Sequence, residues 1–494
     1  MKTFTEKEIE QTINEEYLRL GLPRSPAIGF DHIYHEEQKS NTRSRSEIQD
    51  FSTQISPHVR INIPILGANM IDVTDEKMMI ALAREGGIAF PPQFFHIAAI
   101  GSMIDKTHRA ECALIEKPIT VRPEKTLKEA KQLMQQHNIK GLLVTDNARR
   151  LIGLLSSKDW QYELDETKLV GDLMTSKEKK RLITAPKSVS FADAEKIFLK
   201  HKKEKLPLVD GWGKVTGLIT ARGLFYNRFY PRALRDEKGR FLCGATIGVG
   251  RHLTKTKLKE IEYLLEKEVP IILIDTSRAW AINMEDVLKA TAHLIRHIKK
   301  YANIDVAAGN VSTWGGAKFL IECGADAVKV GQGPGSQCQT RKTGTGTPQI
   351  TAIIECSVVT RLYGKYCWGD GGVKTPGDII HAIIAGANAY MLGKLIVGTE
   401  ESAATAFPNK DGDIRYKTYR GSASVSVQQE RQAQGNLDYQ RRPEGFKEDV
   451  PVFGPLKWRL NDLLHGISSG MSFFGAKTVS ELHEKGIMRR KEKE

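Results

Sequence analysis

Short apolar runs alternate with amphipathic segments along most of this chain of 494 residues. Eight such runs, rich in β-branched and small residues, are predicted to be strands: 61–70, 86–92, 245–250, 269–276, 304–310, 325–333, 366–372 and 388–394. The segments between them, such as TKLKEIEYLLEKE, have helical periodicity. Successive βα units of this kind build a parallel sheet, and eight of them are the number that closes a barrel. The sequence therefore predicts an α/β fold, a (β/α)8 TIM barrel.

One stretch, residues 116–230, interrupts the alternation and contains an internal repeat. Residues 121–160 are echoed by residues 185–224, and each copy is predicted as helix, strand, turn, strand and the start of a helix. We therefore expect the first two barrel strands in residues 1–115. An inserted module of two copies, at about 116–170 and 173–228, follows, and the remaining six strands lie in residues 231–494.

The two copies resemble a tandem pair of CBS domains, which implies regulatory binding of an adenosine-type nucleotide. In that family an Asp three residues after a Ser or Thr contacts the ribose hydroxyls. The first copy has this pattern at Ser156 and Asp159, whereas Gly223 replaces the Asp in the second copy. The resemblance implies one regulatory site, at Ser156 and Asp159. A pair of docking modules without a ligand is the alternative.

Composition narrows the class of protein. No apolar run approaches the roughly 20 residues of a membrane span, and the N-terminus lacks a signal-peptide core, so we expect a cytoplasmic protein without a membrane partner. The six cysteines are scattered without metal-ligand spacing, which predicts no zinc site. The net charge is +14, but its basic clusters are interleaved with Glu178 and Glu204. We interpret them as a solvated surface and not as a nucleic-acid site.

The glycine-rich stretch after the sixth predicted strand holds the candidate nucleophile. It consists of GQGPGSQCQTR over residues 331–341, and Cys338 has no second cysteine nearby. Glycines permit close backbone approach, so carbonyls can surround a cation and amides can face a phosphate. A thiol there can attack an electrophilic carbon if its thiolate is stabilised. A mobile turn with a small buried hydrophobe is the alternative.

Polar residues and glycines follow the other predicted strands as well. They are Asn69, Asp275, Asn310, the run Asp370–Gly372, and Gly393 with Lys394. In a barrel the carboxyl ends of the strands meet at one mouth. The glycines after the last two strands fit a phosphate site built from backbone amides, with Lys394 as an added cation.

Several segments together resemble the IMP dehydrogenase and GMP reductase family over nearly the whole chain. They are GxGPGSxCxTR from residue 331, DGGV from 370, YRGS from 419, EG from 444 and VPxxGPL from 450. The resemblance implies that Cys338 attacks C2 of a purine mononucleotide and forms a covalent intermediate. It also implies a homotetramer that can pair into octamers through the CBS modules.

The resemblance assigns roles to individual residues. It implies phosphate contacts by Ser336, Gly372, Gly393 and Tyr419, a ribose contact by Asp370, and base contacts by Ser422, Ala423 and Glu444. A monovalent cation such as K⁺ would be bound by the carbonyls of Gly333, Gly335 and Cys338. Asp275 and Asn310 would face the dinucleotide. We add Asn69 and Lys394 to the substrate side, and Ser277 and Arg278 to the cofactor side. The family usually has a small residue at the position of Lys394.

The two activities of that family diverge after the same covalent intermediate. IMP dehydrogenase passes a hydride to NAD and then needs a water molecule activated by an Arg-Tyr pair on a long flap. GMP reductase releases ammonia and takes a hydride from NADPH, with proton transfer by a Thr-Glu pair that Thr340 and Glu444 match.

Between Gly421 and Glu444 this chain has no Arg-Tyr dipeptide, which favours a GMP reductase. The CBS insert is commoner in dehydrogenases, so IMP dehydrogenase with NAD is the alternative. A non-catalytic nucleotide sensor is the third hypothesis.

Overall fold

The computed structural model describes residues 3–491 except 112, 138, 177–181, 298, 339, 409–414, 422–423, 426 and 430–445. Two compact units are present. The first comprises Met1–Thr107, Arg232–Leu234 and Leu242–Glu494, and the second comprises His108–Pro231 and Arg235–Phe241. Among the helices of the described residues, none combines the length and apolar composition needed to cross a bilayer.

The first unit contains the predicted barrel. Seven of its eight strands fall within their predicted segments, and the remaining one, the fifth, extends one residue past its segment, to Val311. The strands are β1 (Ile65–Gly67), β2 (Ile88–Ala89), β3 (Ala245–Gly248), β4 (Ile271–Asp275), β5 (Asp305–Val311), β6 (Ala327–Val330), β7 (Tyr366–Asp370) and β8 (Ala389–Leu392). All pair in parallel in the order β3-β4-β5-β6-β7-β8-β1-β2. Gly244 N, just before β3, donates to Ala89 O of β2 at 3.0 Å and joins the two edges. The prediction of an α/β barrel is confirmed.

A helix follows each barrel strand before the next one begins, or before the chain leaves the barrel. These helices are α1 (Glu76–Glu85), α2 (Ile97–Arg109), α3 (Lys255–Leu265), α4 (Ile282–His297), α5 (Trp314–Glu322), α6 (Gln349–Leu362), α7 (Pro376–Ile384) and α8 (Leu456–Phe473). The side chains of Asp75, Thr254, Thr313 and Thr375 cap the N-termini of α1, α3, α5 and α7. Such caps satisfy backbone amides that have no partner inside the helix.

Shorter elements surround the barrel. Helices Glu6–Arg19, Lys394–Val397 and Val479–Lys485 accompany 3₁₀ turns at Phe30–His32, Arg45–Glu47, Lys299–Tyr301 and Thr340–Thr343. Three antiparallel groups of strands are formed by Ile33–His35 with Met488–Arg490, by Thr53–Ser56 with Val59–Ile61, and by Ala406–Pro408, Arg415–Arg420 and Lys447–Pro451.

An apolar plug closes the amino end of the barrel. Trp368 of β7 is fully buried, packs beside Phe90 with ring centroids 5.5 Å apart, and donates from Nε1 to Ile55 O at 2.9 Å. Ile55 belongs to the hairpin that also binds Asp305, the first residue of β5, through His58 N at 2.8 Å. Trp368 and Phe90 thus fill the barrel interior with apolar side chains.

The second unit contains both copies of the repeat. The first sheet contains Thr120–Val121, Gly141–Thr145, Leu151–Ser156 and Thr175–Ser176, with helices Leu127–Gln136, Ser157–Trp160 and Val170–Leu173. The second sheet contains Ala185–Pro186, Lys205–Val209, Val215–Thr220 and Leu114–Ile115, with helices Phe191–His201 and Ala221–Phe229.

The strand that precedes each copy belongs to the sheet of the other copy. Leu114–Ile115 precedes the repeated segment 121–160 but pairs with Val215–Thr220 of the second copy, and Thr175–Ser176 precedes the repeated segment 185–224 but pairs with Leu151–Ser156 of the first. The unit therefore begins before the predicted boundary at residue 116. A strand of two residues has no periodicity from which its place could have been predicted.

A half-buried histidine and a buried one meet between the strand Ile33–His35 and helix α7. The rings of His35 and His381 lie 4.1 Å apart. Burial lowers the pKa of His35 to about 4 against the attraction of Asp378. Burial, the His35 ring and Lys491 lower the pKa of His381 to about 3. Both rings are therefore neutral in the folded protein at neutral pH.

We expect this pair to make the first unit sensitive to acid. Unfolded histidine titrates near pH 6.5, so between that pH and the folded pKa values the unfolded chain binds more protons and stability falls as the pH falls. Replacing His381 with Phe should reduce the loss of unfolding free energy between pH 7 and pH 4.5 by about 2 kcal/mol. Urea unfolding at the two pH values measures this, with the exposed His465→Phe as control. An equal loss in parent and H381F would refute the expectation.

Candidate active site

The loop after β6 presents Cys338 to solvent. Gly331 opens the loop so close to β7 that an added Cβ would clash with Asp370 O. Cys338 N donates to Gly335 O at 3.0 Å, which closes a tight turn. Of the five cysteines that the structure describes, Cys338 is exposed, whereas Cys243, Cys323, Cys356 and Cys367 are buried. The thiol therefore lies where a ligand can reach it and is not a small buried hydrophobe.

A hydroxyl group contacts the thiol directly. Cys338 Sγ lies 2.9 Å from Thr340 Oγ1, and Thr340 begins the 3₁₀ turn Thr340–Thr343. Thr343 Oγ1 donates to Thr340 O at 2.7 Å and holds that turn. A hydroxyl that donates to sulfur stabilises the thiolate form, which is the nucleophile. Ser422, Ala423 and Glu444, the predicted base contacts, lie outside the described residues.

Below the loop, a buried lysine joins the ends of three strands. Lys329 of β6 contacts Asp275 Oδ1 of β4 at 2.8 Å and Asp370 Oδ2 of β7 at 2.9 Å, and its side chain is 4% exposed. Burial lowers the pKa of Lys329, but the attraction of the two carboxylates outweighs that effect and raises it. The ammonium is therefore charged and compensates for two aspartates at the bottom of the mouth.

Neighbouring amides complete this polar cluster. Asn310 Nδ2 donates to Asp370 Oδ2 at 2.8 Å and to Gly331 O at 2.7 Å, while Gln93 Nε2 donates to Asp275 Oδ2 at 3.0 Å. The sequence had predicted Asp275, Asn310 and Asp370 but not Lys329 or Gln93. A single charged residue within the apolar run AVKV was the available signal for Lys329. For Gln93, which follows β2, no pattern distinguished it from a loop residue.

The end of β7 packs against the cysteine loop backbone to backbone. Gly371 and Gly372 have φ values of +83° and +86°, and a Cβ on Gly372 would lie 3.0 Å from that of Pro334. Tyr390 OH donates to Gly371 O at 2.5 Å. Glycine is required here because a side chain would both strain the backbone and push the loop away.

A second group of predicted residues lies around the end of β8. An added Cβ on Gly393 would clash with the hydroxyl of Tyr419, which donates to Met70 Sδ at 3.2 Å. Burial, together with the nearby carboxylates, raises the pKa of Tyr419, so its hydroxyl remains protonated. Lys394 Nζ pairs with Glu448 Oε1 at 2.6 Å. Asn69, after β1, is 7% exposed.

The remaining predicted residues differ in accessibility. Ser336, Ser277 and Arg278 are exposed. Ser277 O accepts from Gln332 Nε2 at 3.2 Å, which joins the β4 loop to the cysteine loop. Of the three carbonyls predicted to bind a cation, Gly335 O already accepts from Cys338 N, and Gly333 has a φ of +87°. A carbonyl oxygen has a second lone pair, so Gly335 O can still serve as a ligand.

In the second unit, Ser156 and Asp159 lie together at the start of a short helix. Asp159 Oδ2 accepts from Ser156 N at 2.7 Å and from Ser156 Oγ at 2.6 Å. Its other oxygen accepts from Thr175 Oγ1 at 2.9 Å. The carboxylate thus ties the helix to the strand that precedes the second copy. In that copy Thr220 Oγ1 accepts from Gly223 N at 3.1 Å.

Lys329→Met should destabilise the first unit strongly. The change leaves two carboxylates close together without a cation, and removing one partner of a buried ion pair costs about 3–5 kcal/mol. Urea unfolding followed by tryptophan fluorescence measures the loss. Lys365→Met is the matched control, because Lys365 pairs with Asp326 at 2.6 Å but is more exposed, with a side chain 18% accessible. A loss for K329M no larger than that for K365M would contradict this account.

Comparisons with known proteins identify the family of this chain. The model of the IMP dehydrogenase / GMP reductase domain matches residues 27–493. An inosine-5'-monophosphate dehydrogenase of Aquifex aeolicus is 39% identical over 444 residues, 88% of this chain and 87% of that protein. One from Halalkalibacterium halodurans is 36% identical over 464 residues, 92% of each chain.

Solved structures of a member of this family are also similar to the chain. A cysteine-to-alanine variant of GMP reductase from Trypanosoma brucei, in complex with guanosine 5'-monophosphate, superposes with a TM-score of 0.85 at 30% identity, over 94% of this chain and 95% of that one. GMP reductase from Trypanosoma brucei in complex with guanosine 5'-triphosphate gives a TM-score of 0.78 at 28% identity, over 97% and 100%. With a matching domain over nearly its whole length, the chain belongs to the IMP dehydrogenase / GMP reductase family.

Proposed function

We propose that this chain is a GMP reductase, which converts GMP and NADPH to IMP, ammonia and NADP. The family consists of oxidoreductases that act on purine mononucleotides, so the choice concerns the direction of the chemistry. The observation that carries it is the absence of an Arg-Tyr dipeptide between Gly421 and Glu444. Without a positioned Arg-Tyr pair, hydrolysis of the covalent intermediate lacks its base. The likeness to the trypanosomal reductase supports the same choice.

The thiol and its neighbour would carry the first half of the reaction. Cys338 adds to C2 of GMP, and the 2-amino group leaves as ammonia once it has received a proton. Thr340 Oγ1, 2.9 Å from the sulfur, is placed to stabilise the thiolate and to pass on that proton, with Glu444 as its proposed partner. A hydride from NADPH then reaches C2 and the thiolate leaves, which releases IMP.

The substrate would be held at both ends. Asp370 is proposed to accept hydrogen bonds from the ribose hydroxyls, since Asn310 and Lys329 already fix one of its oxygens and leave the other free for them. Ser336, Gly372, Gly393, Lys394 and Tyr419 are proposed to bind the phosphate, with Asn69 beside them. Ser422 and Ala423 would contact the base. The protonated hydroxyl of Tyr419 suits a donor to phosphate oxygen.

The cofactor would lie over the loop that follows β4. Asp275, Ser277, Arg278 and Asn310 are the proposed contacts. The two donor hydrogens of the Asn310 amide are already used by Asp370 and Gly331, so Asn310 can offer the cofactor only its oxygen. Arg278 is exposed, and its fork of donors fits the extra phosphate of NADPH. K⁺ bound by Gly333, Gly335 and Cys338 would order the loop.

We further propose that the second unit is a tandem CBS module that binds a regulatory purine nucleotide at Ser156 and Asp159. The Asp159 carboxylate accepts three hydrogen bonds and has a lone pair left for a ribose hydroxyl. Through this module we infer octamers built from two homotetramers. A docking role without ligand is the competing proposal for the same surface.

Asp159→Ala should weaken the binding of GTP or ATP about tenfold or more, since it removes the proposed ribose acceptor. Calorimetry on the C338A background measures binding without turnover. Asp193→Ala is the matched control, because Asp193 also receives a hydrogen bond from the serine that caps its helix. Absence of nucleotide binding in the parent would favour the docking role.

A two-substrate assay tests the direction of the reaction. The protein is incubated with GMP and NADPH, and separately with IMP and NAD, while the absorbance of the reduced cofactor is followed. We expect consumption of NADPH with GMP. Cys338→Ala should lower kcat by at least about a thousandfold in either direction, whereas Cys323→Ala, at a buried thiol, serves as control.

The other outcomes are equally informative. Robust NADH production from IMP, with no reaction of GMP, would establish IMP dehydrogenase activity and refute the reductase proposal. IMP dehydrogenase is the activity named for relatives that are 36–39% identical. Binding of both nucleotides without turnover, unaffected by C338A, would indicate the non-catalytic sensor.

A further inference from the structure

Three polar side chains connect the phosphate side of the mouth to the nucleophile loop. Glu448, on the strand Lys447–Pro451, pairs through Oε1 with Lys394 at 2.6 Å and accepts through Oε2 from Gln337 Nε2 at 3.2 Å. Gln337 immediately precedes Cys338, and its Nε2 also lies 3.5 Å from Ser336 Oγ. One carboxylate thus contacts both the lysine after β8 and the loop that carries the thiol.

The buried Gln337 side chain anchors the loop. Gln337 is 6% exposed, although Ser336 and Cys338 on either side of it are exposed. Its backbone carbonyl accepts from Phe446 N at 3.3 Å, so the loop is bound to the same strand region twice. Because the side chain before the nucleophile is held at Glu448, the position of Cys338 depends on that contact.

Lys394 and Glu448 both remain within reach of a ligand, with side chains 45% and 41% exposed. A phosphomonoester carries a charge of about −1.5 to −2 at pH 7. It is attracted by the ammonium and repelled by the adjacent carboxylate. The net charge that this pair offers to a phosphate is therefore close to zero, although Lys394 alone would bind it.

We propose that Glu448 is a positioning residue that weakens the hold on the substrate phosphate while fixing the Cys338 loop. One oxygen neutralises Lys394, which lets the product leave, and the other holds Gln337, which keeps the thiol in place. The inference rests on the proposed assignment of this mouth to a purine nucleoside monophosphate. It applies to GMP and to IMP alike.

Glu448→Gln separates the two effects, because it removes the charge but keeps an acceptor for Gln337. We expect E448Q to bind GMP roughly three- to tenfold more tightly than the parent does, and to bind guanosine with the same affinity as the parent. Lys394→Met should weaken GMP binding by a similar factor. The GMP dissociation constant of K394M/E448Q should be closer to that of the parent than the constant of K394M is. Calorimetry without cofactor measures these dissociation constants. The control is Glu481→Gln, which breaks an ion pair of similar exposure with Lys485 at 2.7 Å.

Gln337→Leu tests the loop contact. It leaves the Lys394–Glu448 pair intact, so kcat should fall about tenfold while the dissociation constant for GMP stays within about twofold. Glu448→Asp, which keeps the charge but withdraws both carboxylate oxygens by one methylene group, should also lower kcat. If E448Q does not fold, Q337L and K394M still test the two contacts of Glu448 separately.

The proposal is overturned if E448Q changes the dissociation constants for GMP and for guanosine by the same factor, or if its GMP dissociation constant equals that of E481Q. It is also overturned if Q337L changes the affinity for GMP but not kcat. It also fails if the parent binds the nucleotide no better than the nucleoside. The titrations are repeated with IMP and inosine. A protein that turns over only IMP would contradict the reductase proposal, whereas the ratio of E448Q to parent affinity for IMP would still test the role of Glu448.

Discussion

The candidate site depends on the ion pairs that the buried ammonium of Lys329 makes with two aspartates. The ammonium lies between the half-buried carboxylates of Asp275 and Asp370, at 2.8 and 2.9 Å, and pairs with both. Since β6 lies between the strands that carry Asn310 and Asp370, this one side chain joins the proposed cofactor side of the mouth to the proposed ribose side. The loop with the thiol begins directly after the same strand, so its base is fixed by the same contact.

Glycines make the arrangement around this cation compact. Gly331, Gly371 and Gly372 let the cysteine loop approach the end of β7 at backbone distance, and a Cβ at Gly331 would clash with a carbonyl. The apolar plug around Trp368 fills the opposite end of the barrel. Apolar packing therefore fills one end of the barrel, and hydrogen-bonded polar side chains line the other.

The barrel could be predicted from periodicity because each of its strands is a buried apolar run followed by a helix of regular pattern. The strand-end residues Asp275, Asn310 and Asp370 were predictable for the same reason, since a polar residue that ends such a run must lie at the mouth. Lys329 was missed because a charge inside a strand violates the pattern used to find strands. Gln337 and Glu448 were missed because they contact each other across a long stretch of chain, and the sequence pattern around either residue does not predict such a contact. Glu444, Ser422 and Ala423 lie outside the described residues, so their roles remain proposals.

The exchange of strands in the second unit makes its two copies unequal. The chain enters this unit through Leu114–Ile115 and leaves after Ala221–Phe229, and both segments belong to the second sheet or follow directly from it. The first copy, which holds Asp159, has no covalent link of its own to the barrel. The chain therefore reaches the copy that holds Asp159 from either side through residues of the second sheet.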